Sequence, residues 1–213
     1  MPLARLGNAW LPRIDRVLAE APASCGRALS VPDGARQQLV TWLDLVVAWS
    51  ERVDLTAAKD NDTLADLLLA DAALLASTQL TGSAIDVGSG VGAPAIPLAI
   101  LLPTLTLTLV EPRERRAAFL RTSFGSLSRP DIQLLRKPSM EVEAGVAELA
   151  LSRATLPPPS WLREGTRLAQ RGVWVLLGQD APPTHPEWHA DLDLSYSWPL
   201  TGGRRRAVRY IRN

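Results

Sequence analysis

Apolar and polar positions change their period twice along this chain. From Ala35 to Val53 the apolar residues Leu39, Trp42, Leu43, Val46, Val47 and Trp49 recur at close to 3.6 residues, with Arg36, Gln37, Asp44 and Glu51 between them. That spacing predicts an amphipathic helix. A second helix is predicted from Thr63 to Gln79, capped by Asp60, Asn61 or Asp62 and ended by Thr81-Gly82. The whole of residues 1–82 reads as a helical extension.

Beyond it, short apolar runs appear at Ala84–Val87, Leu105–Val110, Ile132–Leu135, Leu149–Ser152 and Val173–Leu177. Segments of helical length separate them: Ala95–Leu102, Arg113–Ser126, Glu141–Val146 and Ser160–Gln170. Alternation of this kind predicts an α/β domain over 83–213, with a doubly wound, mainly parallel sheet. Any ligand is expected at the carboxyl ends of the strands. The tail changes period again. Leu192–Trp198 alternates as a strand, Gly202-Gly203 turns, and RRRAVRYIRN follows, so an antiparallel hairpin is expected at the sheet edge, for seven strands in all. Ala181–His189, with three prolines and two histidines, reads as loop.

Composition narrows the class. Apolar residues make up 46% and charged residues 21% of 213, an ordinary soluble balance. No apolar run approaches the ~18 residues that span a bilayer, and Arg13, Asp15 and Arg16 interrupt what a secretion signal would need. The single Cys25 excludes an internal disulfide, so a cytoplasmic setting without membrane or metal is expected, and a monomer. Net charge is +1, and of the 23 basic residues only Lys59 and Lys137 are lysine. Arginine's planar fork suits phosphate, but charge alone does not indicate nucleic acid.

The chemistry concentrates in IDVGSGVGAPAIPL, residues 85–98. Gly88, Gly90 and Gly92 follow a predicted strand and precede a predicted helix, where positive φ and close approach of a ligand favour glycine. Gly88, Gly90 and Ala93 also fit the dinucleotide spacing, so the glycines do not choose a cofactor. Asp86, expected at the mouth of the site, would repel a pyrophosphate and attract the cationic sulfonium and ammonium of S-adenosylmethionine. Pro94 lacks a donor N–H for an anion. Glu111, ending the next strand, is placed to accept ribose hydroxyls from either kind of cofactor. An NAD-linked oxidoreductase is disfavoured on these grounds.

DVGSGVGAPAIPLAI, LVEPRERRAAFLR and LSRAT, in this order and spacing, resemble the bacterial small-subunit ribosomal RNA guanine-N7 methyltransferase family, the glucose-inhibited division B proteins. Asp54-Leu55-Thr56-Ala57 and the terminal GGRRRAVRYIRN extend the likeness over roughly residues 38 to 213. This chain departs from the family at Leu68 and Ala72, at Ala95, at Glu148 and at Gly178. The resemblance implies a Rossmann-like methyltransferase that binds S-adenosyl-L-methionine and methylates N7 of a guanine in 16S ribosomal RNA, on naked RNA or the 30S subunit. It further implies cofactor contacts from Pro138 and Ser139 and a cofactor- or target-contacting role for Arg153. N7 carries a lone pair and no proton, so no catalytic base is needed, and none is evident; His185 and His189 fall in the proline-rich loop. Arg115, Arg116, Arg204, Arg205 and Arg206 are candidate RNA contacts, as phosphate ligands or simply a solvated face. A methyltransferase with another RNA or small-molecule substrate, and a non-catalytic cofactor-binding protein of ribosome assembly, stand as alternatives.

Overall fold

The computed structural model describes residues 3–127 and 129–213; Met1, Pro2 and Ser128 lie outside the described residues. Three helices come first, α1 (Leu11–Ala23), α2 (Ala35–Ser50) and α3 (Asn61–Ser77). Asp60 caps α3, its Oδ1 accepting from Thr63 N–H at 2.8 Å. The alternating region then runs β1 (Ser83–Val87), α4 (Ala95–Leu101), β2 (Thr106–Val110), α5 (Glu114–Ser126), β3 (Gln133–Leu135), β4 (Ala147–Arg153), α6 (Pro158–Leu168), β5 (Ala169–Leu177), β6 (Trp188–Ser197) and β7 (Arg204–Arg212).

The seven strands form one sheet in the order β3-β2-β1-β4-β5-β7-β6. The first five pair in parallel, whereas β7 runs antiparallel to both β5 and β6. The expected hairpin is present, but its second strand enters the sheet and its first becomes the edge. Two expectations are corrected. Residues 141–146 form no α-helix: a single 3-10 turn at Ser139–Glu141 is followed by a bend at Val142 and a turn at Ala144-Gly145. Arg167 of α6 takes the carbonyl oxygens of Ser139 at 2.8 Å and Val142 at 2.7 Å, and Gly145 holds a φ of 64°. The predicted loop is also shorter, because Trp188 and His189 already belong to β6.

Strand alternation divides the apolar side chains between two faces. Ala84, Leu107, Leu109, Leu151, Trp174 and Ala207 join the buried residues of α1 to α5 in one continuous core. Ile85, Val87, Val173, Val175, Val208 and Tyr210 pack on the other side against Trp161 and Leu162 of α6. Buried Asp66 of α3 ties the helices to the hairpin turn, accepting from Thr201 N–H and Oγ1–H, both at 2.8 Å, and from Leu200 N–H. Desolvation raises its pKa against the pull of those donors.

Candidate cofactor cleft

The glycine turn closes on itself before it meets any ligand. Gly88 and Ser89 N–H donate to the Val110 carbonyl at 2.8 and 3.2 Å, and Gly92 N–H to the Ser89 carbonyl at 2.6 Å. Gly90 N–H donates to Glu111 Oε2 at 2.9 Å, while Glu111 Oε1 accepts from Arg113 N–H at 2.8 Å. All three glycines have positive φ. A Cβ on Gly88 would run into the Thr155 side chain and one on Gly92 into Ile96, whereas Gly90 faces open space, with Arg116 Nη1 at 3.8 Å. Gly88 and Gly92 are therefore demanded by packing, whereas Gly90 lines the cleft with room for a close approach.

That cleft, about 430 Å³, lies at the carboxyl ends of β1, β2 and β4. Gly88, Gly90, Ala93, Glu111, Arg116 and Arg153 line it, as expected of a switch-point site in a doubly wound sheet. Arg116 also anchors the segment above: its Nε and Nη2 donate to the Asp54 carbonyl at 3.2 and 2.9 Å, bringing Leu55, Thr56 and Ala57 over the cleft. Thr155 adds the far lip, its Oγ1 donating to the Val87 carbonyl at 3.1 Å. Sequence reasoning did not single out Leu55, Thr56, Ala57, Leu67 or Thr155 as site residues. The stretches Asp54–Ala57 and Leu151–Thr155 were the available signal.

Asp86 is corrected most sharply. It does not stand at the mouth: it is 1% exposed, and its Oδ2 has no hydrogen-bond partner. The reason is the pleat. Ile85 and Val87 face α6, so Asp86 points with Ala84 beneath the turn into the helix-covered side. Burial raises its pKa to about 7, only partly offset by Ser89 and the distant Arg153, and Glu111 adds to the rise. The carboxylate that lines the cleft is Glu111, 3% exposed. The turn's own donors at 88, 89, 90 and 92 are already taken, so they are not free for a pyrophosphate.

Other expected residues scatter. Pro138 and Ser139 do not line the cleft; the Ser139 carbonyl is held by Arg167. Arg153 lies at the end of β4 and is largely buried, its Nη1 hydrogen-bonded to the Leu67 carbonyl and 3.5 Å from Asp71 Oδ2. Asp71 in turn accepts from Tyr196 Oη–H. Leu68 and Ala72, which flank it on α3, are fully buried core residues, so no polar group at those positions would meet the cleft. Arg115 sits beside Arg113 and Arg116 in a surface depression under Val53 and Asp54. Among the tail arginines, Arg206 is paired with Asp193 at 2.5 Å and Arg205 lies over the Trp198 ring at 3.7 Å, while Arg204 is exposed. His185 contacts Thr166 and His189 contacts Asn213, both outside the cleft lining.

A glycine turn whose own acidic neighbour takes its donors, in a sheet with an antiparallel strand slotted beside the fifth, defines an S-adenosylmethionine-dependent methyltransferase fold. Residues 35–178 match the family model described as rRNA small subunit methyltransferase G, GidB. The chain belongs to that family. A Ribosomal RNA small subunit methyltransferase G of Anaeromyxobacter dehalogenans is 33% identical over 175 residues, covering 78% of this chain and 81% of the relative. One from Chloroflexus aggregans is 37% identical over 136 residues, covering 63% of this chain and 56% of its own length. Among solved structures, TrmN from Thermus thermophilus aligns with a TM-score of 0.47 at 16% identity, over 62% of this chain and 44% of that one.

Proposed function

We propose that this protein transfers the methyl group of S-adenosylmethionine to N7 of a guanine in small-subunit ribosomal RNA, in the cytoplasm where that RNA is assembled. The observation that carries the reading is the cleft at the glycine turn, in a chain that belongs to a ribosomal RNA methyltransferase family. Its volume lies within the ~300–1,000 Å³ of small-molecule sites, and the absence of a side chain at Gly90 on its wall fits a nucleoside laid against the turn.

The cofactor, when bound, supplies an electrophilic methyl carbon. The chain's residues hold and orient. Glu111 keeps lone pairs beyond the two backbone donors that fix it, and offers them to a ribose diol. Arg153 spends one guanidinium nitrogen on Leu67 and Asp71, which leaves donors for a carboxylate in the cleft. No side chain here needs to remove a proton, because N7 of guanine has none to lose. Collinear placement of nucleophile, methyl and leaving sulfur is the whole task, and such positioning contributes ~7–11 kcal/mol.

The test is mass analysis of small-subunit RNA from a strain lacking the gene. One N7-methylguanine should vanish and return with the wild-type gene but not with a Gly88→Val copy. Unchanged N7-methylguanine overturns the reading.

A further inference from the structure

A second cavity, about 310 Å³, opens beyond the carboxyl ends of β4 and β5 and shares Leu67, Arg153 and Ala154 with the cofactor cleft. Its walls are aromatic: Trp161 from α6, Tyr196 at the end of β6, and Trp198 just after it. Trp198 is 8% exposed, and its Nε1–H is buried without a partner. Asp71 also lines the cavity, fixed between Tyr196 and Arg153. At the outer rim stand Asp180 and Arg205, and these two residues also border a shallower groove that carries Arg204 and Arg206.

We infer that this cavity receives the acceptor guanine itself, swung out of the RNA, while the groove beside it carries the phosphates of the same strand. The inference rests on the methyl-transfer reading and places its substrate. A base seated here meets the cofactor cleft across the shared Arg153 wall, where a methyl group must be delivered. Extruded bases are held between aromatic or apolar side chains and read along their Watson–Crick edge. With N7 turned toward the cleft, that edge points at the opposite rim. Asp180 there suits the N1–H and N2–H donors of guanine, and adenine has no N1–H to offer. The unpartnered Trp198 Nε1–H offers one more donor to a purine acceptor. Outside, Arg206 is neutralised by Asp193, which leaves Arg204 and Arg205 as the strand's phosphate contacts.

The experiment uses the full chain saturated with S-adenosylhomocysteine and follows its tryptophan indole N–H signals by NMR, assigned through single Trp→Phe variants. Guanosine monophosphate should move the Trp161 and Trp198 signals and leave fully buried Trp10 and Trp42 unmoved, with adenosine monophosphate weaker by about tenfold. Leu156→Trp plugs the cavity from a position 39% exposed, where the fold tolerates it. That variant should lose the nucleotide response and ~100-fold in RNA methylation, with unchanged S-adenosylhomocysteine affinity. Asp180→Asn should erase the preference for guanosine over adenosine monophosphate. Unmoved Trp161 and Trp198 signals, or wild-type methylation by Leu156→Trp, overturn the inference. If the wild-type chain methylates no RNA, methyl transfer falls, and the nucleotide response alone still decides what the cavity binds.

Discussion

The two faces of the sheet are covered very differently. Five helices, α1 to α5, bury one face in a single core that extends from Trp10 to Ala207. On the other face α6 is the one helix among the described residues, and Trp161, Leu162 and Leu168 seal it against β4 and β5 with Trp188 beyond. The thick face encloses what water would otherwise solvate: Asp66, Asp71 and Asp86 all lie beneath it at 3% exposure or less. The fourth buried acid among the described residues, Glu111, lies in the cofactor cleft at the carboxyl edge of the sheet. Three of the four buried acids thus lie under the thicker helix cover. The thin face trades depth for access, since α6 gives the second cavity Trp161 while Asp71, Tyr196 and Trp198 reach it from the thick-face side.

The contrast can be broken first at the turn. Gly88→Val places a branched side chain at φ 69° against Thr155, and calorimetry should find no S-adenosylhomocysteine binding; normal affinity would show that the turn is not the cofactor seat. Next, Trp161→Ala removes the anchor of α6 on the thin face and its Nε1–H bond to the Trp174 carbonyl at 2.8 Å. Denaturant unfolding should register a loss of about 3–5 kcal/mol, and hydrogen exchange should speed in α6 while α3 stays protected.

Asp86→Asn sharpens the comparison through pH. A folded-state pKa raised from 3.8 to about 7 means that the folded chain binds an extra proton between those values, so stability falls as pH rises through that window. The slope amounts to at most about 4 kcal/mol, and the variant should flatten a plot of melting temperature against pH between 4 and 7. An identical plot would mean that Asp86 ionises freely. The smallest effect belongs to Asp193→Asn. The pair with Arg206 is about 40% exposed on each side, so stability should change by under ~1 kcal/mol. Freed of its partner, Arg206 should tighten RNA binding and steepen its salt dependence.

Much of the framework was legible in the chain, because period and length alone separate helices from strands. Two of the three N-terminal helices, α2 and α3, follow from local pattern, as do the five parallel strands, the hairpin and the glycine turn. What was not legible depends on partners distant in sequence. Residues 141–146 have helical composition, but Arg167, about twenty-five positions later, takes the Val142 carbonyl. The tail arginines look free in sequence, yet Asp191 and Asp193 come to Arg209 and Arg206 only through the register of β6 on β7. Asp86 is a different case. The alternation that placed Ile85 and Val87 on one face already put Asp86 on the other, but that both faces are dry depends on the helices packed over each of them.

The slot occupied by β7 bears on how the molecule is made. β6 has no other neighbour, so until residues 204–212 have left the ribosome it is a strand with nowhere to pair, and β5 keeps a bare margin. The five parallel strands can assemble during synthesis. Residues 204–212 then close the sheet between β5 and β6, and the wall bearing Tyr196 and Trp198 takes shape only with that strand in place.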